Sequence, residues 1–399
     1  MIAPFKSRAF LMNVVTYLPH GAIPDVRGFA PAIVAWNLTR HLRFSQSHII
    51  CNREDYIRRE EIYPGIGRVH RLKEGWIYTR LFKKISRLDP YPLHRRAAKL
   101  ARSLAPDIVH AHQLEFPIKV FFKALGRHLP VIVHAHVTHR AFDATRGIAD
   151  KYIAASDYVR ERLISQGGYP SERIEVIHNG VDTTLFCPPT LEERGLLRQI
   201  LGIPNEGRVV LFAGRKQEVK GFHIFLRVAE KLLARHPDVF IVAAGGEPRE
   251  CAAESTYTAR NILRARLAAG GRYFDLPPMP QSQLANLFKM SDIALLPSLQ
   301  EPQGMTMLES MASACITVSS RVGGIPESIS HGESGFLLEN PHDADAALHL
   351  VGQVLDNLKN LDALRAAARK KITENFSWDK LAMRMENIYF DLAAGHAPL

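Results

Sequence analysis

Along the chain, short apolar runs rich in β-branched residues alternate with stretches whose apolar positions recur every three or four residues. The runs are AFLMNVVTYL, DIVHAH, PVIVHAHV and KYIAAS, then RVVLFAG, VFIVAAGG, DIALLP and CITVSS. Strands spaced by amphipathic helices predict parallel sheets built from right-handed βαβ units. The alternation restarts once, after LFCPPTLEERGLLRQILGIPNEG at 185–207, whose paired prolines, short helix and turn read as an interdomain linker. The pattern therefore predicts an α/β protein of two doubly wound domains. Ligands of such sheets lie beyond the carboxyl ends of the strands, here in a cleft faced by both domains.

Length supports the division, because 399 residues at 46% hydrophobic exceed what one core usually holds. Cys51, Cys187, Cys251 and Cys315 form no CxxC pair, and no charged start, apolar core and cleavage site opens the sequence. The expectation is a reducing, cytoplasmic setting. No apolar run approaches the roughly 20 residues of a membrane-spanning helix. The net charge of +11 is unevenly placed: residues 1–150 hold 24 Lys+Arg against 11 Asp+Glu, a net +13, and the remainder is net −2. Much of the excess lies between Arg53 and Arg102, in RLFKKISR (80–87) and HRRAAK (94–99), interleaved with Leu, Phe and Ile. Such a surface suits an anionic membrane face or a phosphorylated acceptor. No nucleic-acid motif accompanies it, so nucleic acid is not an expected partner.

The most specific stretch is PSLQEPQGMTMLESMASA at 297–314. A strand over 292–296 leads into a loop with Glu301 and Gly304, and a helix begins near Met305. The free N–H groups after Gly304, including those of Met305 and Thr306, face a positive dipole end suited to a phosphate. Glu309, a turn further on, can accept hydrogen bonds from a ribose diol. In FAGRKQEVKG (212–221) a strand ends in Gly214 and a loop with Arg215 and Lys220, a planar fork and a point charge suited to a diphosphate. The string Asp343-Ala-Asp345 looks like a D-x-D metal motif, but it follows Pro341 and opens a helix, so N-terminal carboxylates explain it better.

Glu301-Pro302-x-Gly304-x-x-x-x-Glu309 resembles the E-x7-E motif of retaining family 4 glycosyltransferases of the GT-B fold, the glycosyl transferases group 1 type. FAGRKQEVKG, IEVIHNGVD (174–182), RVGGIPESISHGESGFLL (321–338) and FSWDKL (376–381) agree with the same family, and the resemblance covers roughly residues 100–385. It implies two Rossmann-like domains facing a cleft: residues 1–185 for the acceptor and 186–379 for the nucleotide sugar, with a helix over 380–399 packed back on the first. It also implies a UDP- or GDP-linked donor, no cofactor and no metal. Arg215 and Lys220 offset the leaving diphosphate, Glu301 orients the sugar hydroxyls, and Gly214, Gly304, Met305, Thr306 and Glu309 bind the donor. The expected acceptor is a saccharide, lipid-linked or of lipopolysaccharide type, used in cell-envelope glycan assembly at the inner face of the membrane. A small soluble acceptor such as a sugar phosphate is the alternative, and a sugar-nucleotide epimerase on the same scaffold is a rival.

Two His-Ala-His triplets, His110–His112 and His134–His136, end consecutive predicted strands. Residues i and i+2 of a strand share a face, so the spacing permits a metal clamp. The family pattern instead makes His136 the sugar-contacting histidine, with His134 where Thr is common. Relatives often carry Gly-Gly after the first strand; here Gly21 and Gly28 are single candidates within YLPHGAIPDVRGF, and RYFDLPPM (272–279) stands near the expected nucleobase pocket.

Overall fold

The computed structural model describes residues 11–23, 29–53, 58–64, 66–73, 92–113, 117–126, 129–136, 145–246, 261–262, 264–266 and 270–395. Two compact units result: one of residues 1–25, 29–177 and 378–399, the other of 26–28 and 178–377.

The N-terminal unit holds an eight-stranded sheet of order β3-β4-β2-β1-β5-β6-β7-β8. Its strands are β1 (Met12–Tyr17), β2 (Ser45–Asn52), β3 (Glu60–Tyr63), β4 (Gly67–Leu72), β5 (Ile108–His112), β6 (Val131–Ala135), β7 (Lys151–Ala154) and β8 (Ile174–Val176). All neighbours are parallel except the edge pair β3–β4. The chain winds away from β1 in both directions, so the topological switch lies between β1 and β5. The helix Trp378–Gly395 belongs to this unit. Its Glu386 is 2% exposed, and one carboxylate oxygen accepts from the N–H groups of Arg43 (2.8 Å) and Phe44 (2.7 Å). Those donors satisfy a carboxylate that burial alone would penalise.

The C-terminal unit has a wholly parallel six-stranded sheet of order β11-β10-β9-β12-β13-β14. Its members are β9 (Arg208–Ala213), β10 (Val239–Ala244), β11 (Tyr273–Leu276), β12 (Ile293–Leu296), β13 (Ile316–Ser320) and β14 (Phe336–Leu338). The switch lies between β9 and β12. In the helix Phe222–Arg235, the residues Phe222, Phe225, Leu226, Ala229, Leu232 and Leu233 repeat at three- and four-residue spacing and enter the core. Leu308, Met311 and Cys315 fill the opposite face of the sheet.

Three expectations shift. The boundary falls at 177/178 rather than 185/186, because Val181 and Phe186 join the second core and the Val181 N–H bonds to the Phe376 carbonyl at 2.9 Å. The stretch 185–207 is no free linker either. Its helix Leu191–Ile200 is fastened to the C-terminal unit by Arg198, 4% exposed, which donates to the Met290 carbonyl (3.0 Å) and to Asp292 (2.8 Å). Asp292 precedes β12 rather than opening it, and also accepts from the Val209 N–H at 2.7 Å. Of the basic stretch Arg53–Arg102, the RLFKKISR segment lies outside the described residues, as does Gly28.

Candidate active site

At the C-terminal switch point, the loops that follow β9 and β12 carry the residues singled out by their chemistry. Lys220 donates to the Glu301 carboxylate in a half-buried ion pair. Gly304, at φ 93°, caps the helix Met305–Ala312, and a Cβ there would meet the Glu301 Cγ at 3.2 Å. The loops are locked backbone to backbone. A Cβ on Gly221 (φ 67°) would lie 1.7 Å from the Pro297 carbonyl oxygen, and one on Gly323 (φ 56°) 1.8 Å from that of Glu301. Only glycine fits such close approaches at left-handed backbone. The Leu299 N–H bonds to the Val219 carbonyl (2.9 Å), and the Gly324 N–H to the Glu301 carbonyl (3.2 Å).

Glu309 is 3% exposed, and burial pushes its carboxyl up to about 7, against a smaller opposing effect of the hydrogen bond from Gln281 (3.0 Å). Its second oxygen has no partner among the described residues. Gln303, fully buried, accepts from the Asn179 N–H at 2.5 Å and ties IEVIHNGVD to the Glu301 loop. The Arg215 side chain is exposed, and Gly214 sits beside it at φ 151°. Lys216 is instead the buried cation of that loop, paired with Asp275 at 2.5 Å. Asp343 caps its helix by accepting from the N–H groups of Asp345 (3.0 Å) and Ala346 (2.9 Å), while Asp345 pairs with Lys231; both carboxylates of the D-x-D string are thereby engaged.

In the N-terminal unit, β5 and β6 align His112 with His134, which puts His110, His112, His134 and His136 on one face. All four are buried and their rings stack, with centroids 4.3 Å apart for His134–His136 and 5.1 Å for His112–His136. Burial, with some repulsion among neighbouring imidazoles, holds His112 and His134 well below the ordinary histidine range, and burial takes His136 to about 3. These rings are neutral at neutral pH. Gly21 (φ 90°) follows β1 at the switch point, and a Cβ there would meet the Phe29 ring at 2.7 Å. Gln113, directly after His112, is a non-glycine residue at φ 87° and 5% exposed, a strained position of the kind found at functional sites.

Sequence reasoning missed Gln281, Gln303, Lys216 and Gln113. Isolated Gln and Lys carry no pattern of their own, and Gly221 and Gly323, which mark the close backbone approaches, were not singled out either.

Two doubly wound parallel-sheet units agree with the GT-B fold. Family models match both: Glycosyltransferase Family 4 over residues 32–185 and Glycosyl transferases group 1 over residues 193–371. The chain thus resembles two glycosyltransferase models, one over each part of its length. It is 32% identical over 249 residues to a D-inositol 3-phosphate glycosyltransferase of Thermobispora bispora, covering 61% of this chain and 56% of the relative. A protein of the same name from Mycobacterium tuberculosis is 35% identical over 241 residues, 58% and 46% of the two chains. The chain spans about half the length of the curated relatives it matches. Among solved structures, a sucrose-phosphate synthase of Thermosynechococcus elongatus superposes with TM-score 0.80 at 18% identity, over 96% of this chain and all of that one. The Anabaena protein HepE, solved with UDP and glucose, gives 0.78 at 18% identity, over 94% and 98%. At such identity these likenesses speak for the fold.

Proposed function

We propose that the protein moves a sugar from a UDP- or GDP-linked donor to an anionic acceptor with retention of anomeric configuration. The observation that supports this most is the convergence of Lys220, Glu301 and the Met305–Ala312 N-terminus at the switch point of the C-terminal sheet. In this reading the diphosphate lies at the N–H groups of Met305 and Thr306 and takes Lys220 from Glu301, which turns to the sugar hydroxyls. Arg215 closes on the diphosphate from its exposed position, Gly214 leaves room beside it, and Glu309 receives the ribose diol. His136 and Gly21 keep the sugar- and donor-contacting roles that the family pattern implies.

The bond from the anomeric carbon to the diphosphate oxygen breaks and its electron pair leaves on the phosphate. The acceptor oxygen bonds to the same face, and its proton passes to the departing phosphate. Fixed positive charge aimed at the leaving group supplies most of the acceleration. No divalent ion is required at the diphosphate in this scheme, because Lys220, Arg215 and the helix dipole carry the compensating charge.

The relatives' shared name favours a small phosphorylated acceptor. A second reading, a lipid-linked or lipopolysaccharide-type saccharide met at the inner membrane face by a cytoplasmic enzyme, draws on Arg95, Lys99 and Arg102, exposed along one side of the helix Leu93–Ser103. Among the described residues no helix is long and apolar enough to cross a membrane. A thermal-shift screen of UDP-, GDP-, ADP- and dTDP-sugars finds the donor. Transfer to an inositol or sugar phosphate then supports the soluble acceptor, and salt-sensitive co-sedimentation with anionic vesicles supports the membrane one. Release of an altered donor without any acceptor means an epimerase, and no response to any sugar nucleotide overturns the proposal.

A further inference from the structure

The face of β5 and β6 poses a problem that sugar contact by His136 does not resolve. His110 Nε2, His112 Nε2 and both ring nitrogens of His134 are buried and have no partner among the described residues. Buried polar atoms of native proteins are nearly always satisfied, so a group of four in one place asks for an occupant. The other ring nitrogens are not left loose. His110 Nδ1 lies 2.7 Å from the Tyr389 hydroxyl, and His112 Nδ1 lies 2.9 Å from His136 Nε2. That is the arrangement found around metal-bound histidine, where the nitrogen away from the ion is hydrogen-bonded and the tautomer is thereby fixed.

We propose that His110, His112 and His134 bind one divalent transition ion of the zinc or cobalt kind, independently of the sugar-transfer reading. One nitrogen from each of the three lies within 4.8 Å of the others. Zinc–nitrogen bonds of about 2.0–2.1 Å in a tetrahedral site put ligand nitrogens roughly 3.4 Å apart, so the nitrogens close by up to about 1.5 Å. They are now stacked, 4.6 Å (His110–His112), 5.0 Å (His112–His134) and 5.4 Å (His110–His134) between centroids, and ligation turns them from parallel to convergent. Neutral imidazole is the ligand these ions prefer. Three histidines leave a fourth position for water. The ion's role is structural and local: with Nε2 of His112 ligated, Nδ1–H donates to His136 and sets which His136 nitrogen carries its proton. The sequence reading assigned no metal because spacing alone cannot show unpartnered nitrogens or the Tyr389 contact.

The test uses the full chain, stripped with a chelator under conditions in which its circular dichroism is unchanged, then titrated with Co2+. One equivalent should bind, with the intense visible d–d band of a four-coordinate ion. His134→Phe, which keeps a flat ring in the stack, should abolish the band, whereas His349→Gln at an exposed position should leave it intact. Tyr389→Phe keeps the helix packing and should weaken binding roughly 10- to 100-fold, as removal of such outer contacts does elsewhere. If the folded wild type binds no stoichiometric ion, or if His134→Phe binds Co2+ with the same band, the proposal is wrong and the histidines form a metal-free stack.

Discussion

Both units place polar residues toward the carboxyl ends of parallel strands, but they do so with opposite electrostatics. The C-terminal unit sets full charges on loops beyond the strands, where Lys220 and Glu301 remain partly exposed, at 24% and 11% of their side chains, and neutralise each other. The N-terminal unit sets uncharged imidazoles on the strands themselves, in the interior. A partly exposed pair can trade partners when an anion arrives, since neither ion is fully cut off from solvent. A buried imidazole stack cannot take up a proton without penalty. The same topology thus yields one region of exchangeable charge and another of buried neutral rings.

The largest effect should come from the charged region. Lys220→Ala, and separately Arg215→Ala, should lower turnover by roughly 10²- to 10³-fold, the scale of a lost transition-state donor, with the melting temperature little changed. Near-normal kcat in both variants would remove the contrast with the N-terminal unit. Gly323→Ala comes next. Its Cβ has no room beside the Glu301 carbonyl, and the positive φ adds strain, so urea denaturation should show a loss of about 2–3 kcal/mol. A neutral result would mean that the Glu301 loop is not held as described.

Glu309 sharpens the comparison through pH. Its folded carboxyl is raised to about 7 by burial, so the native state holds a proton that the unfolded chain has released. Stability therefore falls as pH rises from the unfolded value near 4.5 to about 7, by on the order of 3 kcal/mol from this group. Glu309→Gln should flatten that part of the stability–pH curve, and an unchanged slope would show that the carboxylate is not desolvated. The smallest effect separates the two acids. Above pH 7, where its carboxyl has ionised, Glu309→Gln should weaken nucleoside diphosphate binding roughly tenfold, as loss of a charge-assisted hydrogen bond would. Glu301→Gln should spare it and blur selection among donor sugars, so equal losses in calorimetry would place both acids on one part of the donor.

Much of this architecture was legible because it rests on periodicity. β-branched runs gave the strands, and Gly304 before Met305 marked a helix start that the structure places at that residue. The boundary was misplaced because Pro188 and Pro189 look like punctuation, whereas Arg198 and Asp292, 94 residues apart, decide where 185–207 packs. Asp292 read as a strand residue for the same reason: a lone Asp before an apolar run does not reveal the buried arginine it meets. Partners distant in sequence, such as Gln281 with Glu309 and His110 with Tyr389, leave no local trace at all.

The central claim is that the C-terminal switch point receives a nucleoside diphosphate on fixed protein charge. Titration calorimetry of the wild-type chain with UDP and with GDP, in EDTA and without added divalent ion, tests it most directly. The account predicts saturable binding of one of the two at one site per chain, weakened at least tenfold by Lys220→Ala. Absence of binding by both nucleotides, or wild-type affinity in Lys220→Ala, would contradict it.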